Sequence, residues 1–159
     1  SGRSTIWFAQ RVKHLISVEH HSGWYAKVNQ KLHDLEGIIE RVDYRLCEDG
    51  ANNREETAYV NIVKEIQLNS LDFCLVDGVA RDYCALASLD KLKPGGILII
   101  DNVNWYIPRT RVSYSPNSRR GDDYASDAWR TVGCVLANWR CIWTSNGVTD
   151  TAFWEKPFF

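Results

Sequence analysis

Two apolar runs constrain this chain more than anything else in it. "LDFCLVDG" (71–78) and "PGGILIIDN" (94–102) are near-continuous apolar stretches, each ending in polar residues, and "RDYCALASLDKL" (81–92) between them reads as a helix. Apolar runs without alternation are what strands buried on both faces show. Two such strands joined through a helix make a right-handed βαβ unit with a parallel pair. The expected class is therefore α/β. Ligands of such sheets bind at the C-terminal ends of the strands, which singles out Asp77, Asp101 and Asn102.

The flanking sequence continues the alternation. Thr5 to Val12 reads as a short helix after a glycine turn, and "HLISVE" (14–19) as a strand ending on Glu19. "SGWYAKVNQKLHDL" places Trp24, Val28 and Leu32 at four-residue spacing with Ser22 as a cap, the pattern of a helix. "VDYRL" (42–46) is a strand, and "NREETAYVNIVKEI" (53–66) a helix capped by Asn53, with Tyr59, Ile62, Val63 and Ile66 on one face. Residues 105–121, with Pro108, Pro116, Arg109, Arg111, Arg119 and Arg120, read as a mobile loop. A helix over 122–139 follows. "CIWTSNGVTDTAFWEKP" then closes the chain as two strands around an Asn146-Gly147 turn, a strong hairpin signal. At 159 residues this is expected to be one domain, 1–159.

Charge and composition remove several function classes. Nineteen basic against twenty acidic residues give a net charge of −1, so no footprint for nucleic acid or an anionic membrane is expected. No apolar run approaches the roughly 20 residues that span a bilayer, and no charged-then-apolar leader opens the sequence; a soluble, cytoplasmic setting is the expectation. The five cysteines include no CxxC pair, and Cys74 and Cys134 lie in apolar runs. They read as reduced core residues, not as a disulfide framework or a zinc site.

Glu19 lies seventeen residues after Gly2, at the end of the strand that follows the glycine turn and its helix. In a nucleotide-binding βαβ unit a carboxylate there accepts hydrogen bonds from ribose hydroxyls. The plainer alternative is an acid that ends a strand. Asp77, Asp101 and Asn102 are hard oxygen donors suited to Mg²⁺. Alternatively, Asp77 orients a cofactor and Asp101-Asn102 only turns the chain. Spacing leaves both pairs of readings open.

These segments resemble the class I S-adenosylmethionine-dependent methyltransferases. "SGRST" is similar to the second half of their glycine loop, "SVEHHSGWY" to their ribose-binding region, and "LDFCLVDGVARDYC" and "LKPGGILIIDN" to their fourth and fifth strand motifs. The resemblance implies a Rossmann-like, doubly wound, mostly parallel sheet with an antiparallel C-terminal hairpin whose last strand is "DTAFWEKP". It implies S-adenosylmethionine as cofactor, held by Ser1, Gly2 and Ser4 at the methionine end, by Glu19 with His20 at the ribose, by Glu48 or Asp49 near adenine, and by Asp77. Asp77, Asp101 and Asn102 match the metal triad of the catechol and caffeoyl-CoA type O-methyltransferases, in which a divalent ion such as Mg²⁺ holds the acceptor hydroxyl. Asp77 and Asp101 are then the catalytic residues. Where those enzymes carry a candidate lysine base this chain has Ala80, followed by Arg81, and arginine is a poor base.

The implied activity is methylation of a hydroxyl on a small molecule or sugar, with Trp105, Tyr106 and Tyr114 as an acceptor wall and the loop arginines mostly solvated. Self-association is left open. A binding protein on the same fold without turnover is an alternative. A nicotinamide-dependent dehydrogenase is another, against which the Asn-Gly hairpin counts. Against the family pattern, "SGRST" reads either as a cut through the cofactor loop, leaving a sheet without its usual first strand, or as an expression scar at Ser1-Gly2.

Overall fold

A computed structural model describes residues 2–48, 54–109 and 118–158. They fall into two compact units divided between Tyr59 and Val60. No helix among the described residues is long and apolar enough to cross a membrane.

The first unit contains α1 (Gly2–Ala9), β1 (Leu15–Glu19), α2 (Ser22–His33) and β2 (Val42–Leu46). β1 and β2 pair in parallel, from Leu15 opposite Val42 to Glu19 opposite Leu46. Two details differ from the sequence reading. α1 begins at Gly2 itself, and a Cβ built there would lie 2.9 Å from Val28 Cγ2, so the glycine lets α1 pack closely on α2. α2 is capped by His21, not Ser22: His21 is extended and its Nδ1 accepts the Trp24 amide at 3.3 Å, while Ser22 is already the first helical residue. Val28 and Leu32 are buried as the periodicity expects, whereas Trp24 at the open end of that stripe is exposed. Tyr25 stacks on Tyr44, with ring centroids 4.7 Å apart, and Thr5 shares a 2.8 Å hydrogen bond with Ser17, tying α1 to β1.

α3 (Ala58–Glu65) follows a 3-10 turn over Arg54–Glu56, so the expected long helix is two shorter pieces. Of the expected face Ile62 is buried while Tyr59, Val63 and Ile66 are half-buried, and Val60, outside that face, is buried as well. Asn53, the expected cap, lies outside the described residues. Tyr59 instead donates its hydroxyl to the Val18 carbonyl at 3.0 Å.

The second unit holds β3 (Leu71–Val76), α4 (Arg81–Ser88), β4 (Leu92–Asp101), α5 (Asp127–Leu136), β5 (Arg140–Ser145) and β6 (Asp150–Glu155). The strand order is β3-β4-β6-β5, with β3 and β4 parallel and β6 antiparallel to both β4 and β5. The hairpin turn forms as expected. Gly147 takes a left-handed φ of 87°, and Asn146 Oδ1 accepts the amides of Val148 and Thr149 at 2.9 and 2.8 Å. β4 starts earlier than the apolar run because "LKPGG" forms a bulge: Leu71 pairs with Leu92 but Phe73 with Ile97. One sheet face carries the core, with Leu98, Ile100, Ala152 and Trp154 at 5% exposure or less.

α5 buries Trp129, Val132 and Leu136 at helical spacing, which turns Cys134 to solvent. The expectation of five core cysteines is therefore corrected: Cys134 and Cys141 are exposed, and only Cys84 is buried. All five cysteines are free, and burial pushes the Cys74 thiol up to about 11, with a hydrogen bond to Ser88 opposing. The result is an α/β architecture with a two-stranded parallel sheet in the first unit and a four-stranded mixed sheet in the second.

Candidate functional site

β3 and β4 run in parallel with Val76 opposite Ile100, so their next residues, Asp77 and Asp101, emerge at neighbouring strand ends. Both chains then turn sharply. Ala80 has φ 45° and Asn102 φ 53°, left-handed conformations that side-chain-bearing residues seldom adopt and that cost on the order of 1–3 kcal/mol each. Something must hold them there.

That group is Arg81, the first residue of α4. Its Nε donates to the Gly78 carbonyl (2.9 Å). Nη1 donates to the Asp101 carbonyl (2.8 Å) and Asn102 Oδ1 (3.0 Å), and Nη2 to the Asp77 carbonyl (3.0 Å) and Asp77 Oδ1 (3.3 Å). A guanidinium has five N–H donors, and all five are used. Its side chain is only 16% exposed, and its carbon lies 5.7 Å from the centroid of the Tyr106 ring, which stacks in turn on Trp129 at 5.1 Å. Asp101 Oδ1 accepts from Thr151 at 2.7 Å. Burial, with Asp101 beside it, pushes the Asp77 carboxyl above the ordinary aspartate range, while Arg81 pulls the other way.

Polar residues behind these strand ends set the frame. Buried Asp82 on α4 accepts from Ser126 Oγ at 2.9 Å, and the same oxygen accepts the Trp129 amide at 3.2 Å, capping α5. Buried Asn104 accepts the Asp150 amide at 2.9 Å, and Asp150 Oδ2 accepts from Trp143 Nε1 at 2.9 Å. None of Asp82, Asn104, Ser126 and Asp150 was singled out from the sequence. Arg81 was noted there only as a poor base. The available signal was its position four residues beyond Asp77 on the first turn of a helix.

The other sequence-predicted residues lie in the first unit or outside the described residues. Glu19 ends β1, is buried at 3% exposure, and its Oε1 accepts the amides of His20 (2.9 Å) and His21 (3.0 Å). His20 Nδ1 lies 3.3 Å from the same oxygen. Gly2 and Ser4 are in α1, and Glu48 is exposed beyond β2. Ser1, Asp49, Arg111 and Tyr114 lie outside the described residues. The structure thus brings Asp77, Asp101 and Asn102 together, and separately Glu19 with His20. Trp105 is exposed, while Tyr106 is taken up by its stacking. Arg119 donates to the Trp105 carbonyl at 2.6 Å and pairs with Asp123 at 2.9 Å, and Arg109 lies over Trp143 at 4.7 Å, so both brace the flanks of the loop.

The donor set does not fit the divalent ion expected at Asp77, Asp101 and Asn102. Mg²⁺ demands near-octahedral oxygens at about 2.0–2.1 Å. Here Asp77 Oδ1 and Asn102 Oδ1 already accept from Arg81, and Asp101 Oδ1 from Thr151. Among the described residues, no group of three or more His, Cys, Asp or Glu side chains is arranged to hold a metal ion.

Solved structures share this arrangement of elements. The chain is similar to a methyltransferase from Geobacter sulfurreducens at 14% identity and a TM-score of 0.58, covering 98% of this chain and 66% of that one. It is similar to a candidate caffeoyl-CoA O-methyltransferase from Staphylococcus aureus at 17% identity and a TM-score of 0.55, covering 98% and 71%. It is also similar to the [4+2]-cyclase SpnF at 13% identity and a TM-score of 0.53, covering 99% and 72%. No protein-family model and no curated protein matches the chain. The fold is that of the class I, Rossmann-like methyltransferases.

Proposed function

We propose that this chain is an S-adenosylmethionine-dependent methyltransferase that methylates a hydroxyl on a small molecule or sugar. The observation that carries the reading is Glu19. It is a carboxylate buried at the C-terminal end of a parallel strand, preset by two backbone amides on one oxygen, in a fold of the methyltransferase kind. In this reading Glu19 accepts the ribose hydroxyls, with Gly2, Ser4 and His20 on the cofactor side, and Asp77 and Asp101 serve the acceptor. Methyl transfer is an in-line displacement: the acceptor oxygen bonds to the methyl carbon, the sulfur–carbon bond breaks and its electron pair stays on sulfur. Asp77 takes the hydroxyl proton, as an acid held above the ordinary aspartate range suits. The rest is orientation. The reading needs neither nucleic acid nor membrane, and its setting is the cytoplasm.

Transfer of labelled methyl from S-adenosylmethionine to a panel of phenolic and sugar hydroxyls tests the proposal. Label in an ether product, lost in Asp77→Asn, supports it. A second reading, a protein of this fold that does not transfer methyl groups, is favoured by the likeness to SpnF, whose name describes a cyclase. Cofactor binding with no transfer to any hydroxyl would favour that reading.

A further inference from the structure

We infer that the Arg81 guanidinium is the built-in cation of this strand-end site, occupying the place of a divalent ion and making the site metal-independent. Five oxygens converge on it: the carbonyls of Asp77, Gly78 and Asp101, the Asp77 carboxylate and the Asn102 carboxamide. This is the oxygen-rich surrounding a hard cation would draw, but matched to a planar fork at hydrogen-bonding distances of 2.8–3.3 Å. The left-handed turns at Ala80 and Asn102 belong to the same device, since the residues they redirect are Arg81 and the carboxamide that it binds. A divalent ion on the same oxygens would have to displace a fixed positive charge that already uses all its donors. Arg81 is thereby a positioning residue: one group fixes both the Asp77 carboxylate and the Asn102 carboxamide. The inference rests on the methyltransferase reading for the role of the site. Its cation occupancy is open to measurement without any methyl transfer.

The test is Mn²⁺ uptake by the full chain, read from loss of the free-ion electron paramagnetic resonance signal. Wild type and Arg81→Lys, which keeps a positive charge, are expected to leave Mn²⁺ free. Arg81→Ala and Arg81→Gln are expected to bind one Mn²⁺ at least ~10-fold more tightly than wild type, as removal of a like charge at close range implies. Adding Asp77→Asn to Arg81→Ala abolishes that uptake. Circular dichroism identifies the variants that keep their fold, and Arg81→Gln keeps the test open if the alanine variant does not. Uptake by wild type as tight as by Arg81→Ala overturns the inference, and so does its absence from folded Arg81→Ala and Arg81→Gln. Failure to bind S-adenosylmethionine would instead count against the methyltransferase reading and leave the Mn²⁺ result standing.

Discussion

Glu19 and Asp43 are two carboxylates on neighbouring strands with opposite fates. Glu19 is buried, its Oε1 spanned by two amides, and a glutamine there can still accept those amides while losing the charge that a ribose diol would favour. Glu19→Gln is therefore expected to leave the fold intact and to raise the Kd for S-adenosylmethionine at least ~10-fold in calorimetry, the loss typical of a hydrogen bond to a charged group. Asp43 is half-exposed and held by the Arg45 guanidinium, whose hydrogen bond keeps its carboxyl below the ordinary aspartate range against the effect of burial. A lowered native pKa stabilises the fold above the unfolded value, and that contribution fades as pH falls through the native one. Asp43→Asn should thus cost up to ~1 kcal/mol at neutral pH, as exposed ion pairs do. The difference from wild type should shrink as pH falls below the ordinary aspartate range and through the lowered native value, in denaturant titrations across pH.

At the scale of elements, the "PGG" stretch and the α5 cap carry the clearest mechanical predictions. A Cβ at Gly96 would stand 2.8 Å from the Lys93 carbonyl and 3.0 Å from the Leu71 carbonyl, both backbone and unable to swing away. Gly96→Ala should destabilise by about 1–3 kcal/mol in urea melts, the range for overpacking. Ser126→Ala removes both the α5 cap and one hydrogen bond to buried Asp82 and should cost about 1–2 kcal/mol. The strands and most helices were readable because their apolar runs are bounded by turn residues and because Trp129, Val132 and Leu136 keep helical spacing, but the runs overstated burial: β4 covers Leu98 and Ile100 on one face and leaves Ile97 exposed on the other. The His21 cap was not readable, because capping by an imidazole nitrogen depends on one side chain's orientation. Nor was the outward turn of Cys134, since an apolar run does not say which face of its helix is covered.

For the molecule as a whole, the order of elements and the antiparallel hairpin were legible in the sequence, and they define the class of fold despite low identity to any solved neighbour. The chemistry of the strand ends was legible only in part. Asp77, Asp101 and Asn102 were placed together by their strands, but spacing along the chain does not tell which cation fills the place between them. That depends on a left-handed turn at Ala80, an ordinary residue for which sequence offers no warning. Everything proposed for this fold rests on S-adenosylmethionine binding through Glu19. Isothermal titration with S-adenosylhomocysteine tests it most directly. Saturable heat with one site per chain, weakened in Glu19→Gln, is the expected result. No heat from a folded chain, or equal affinity in the two proteins, would contradict it.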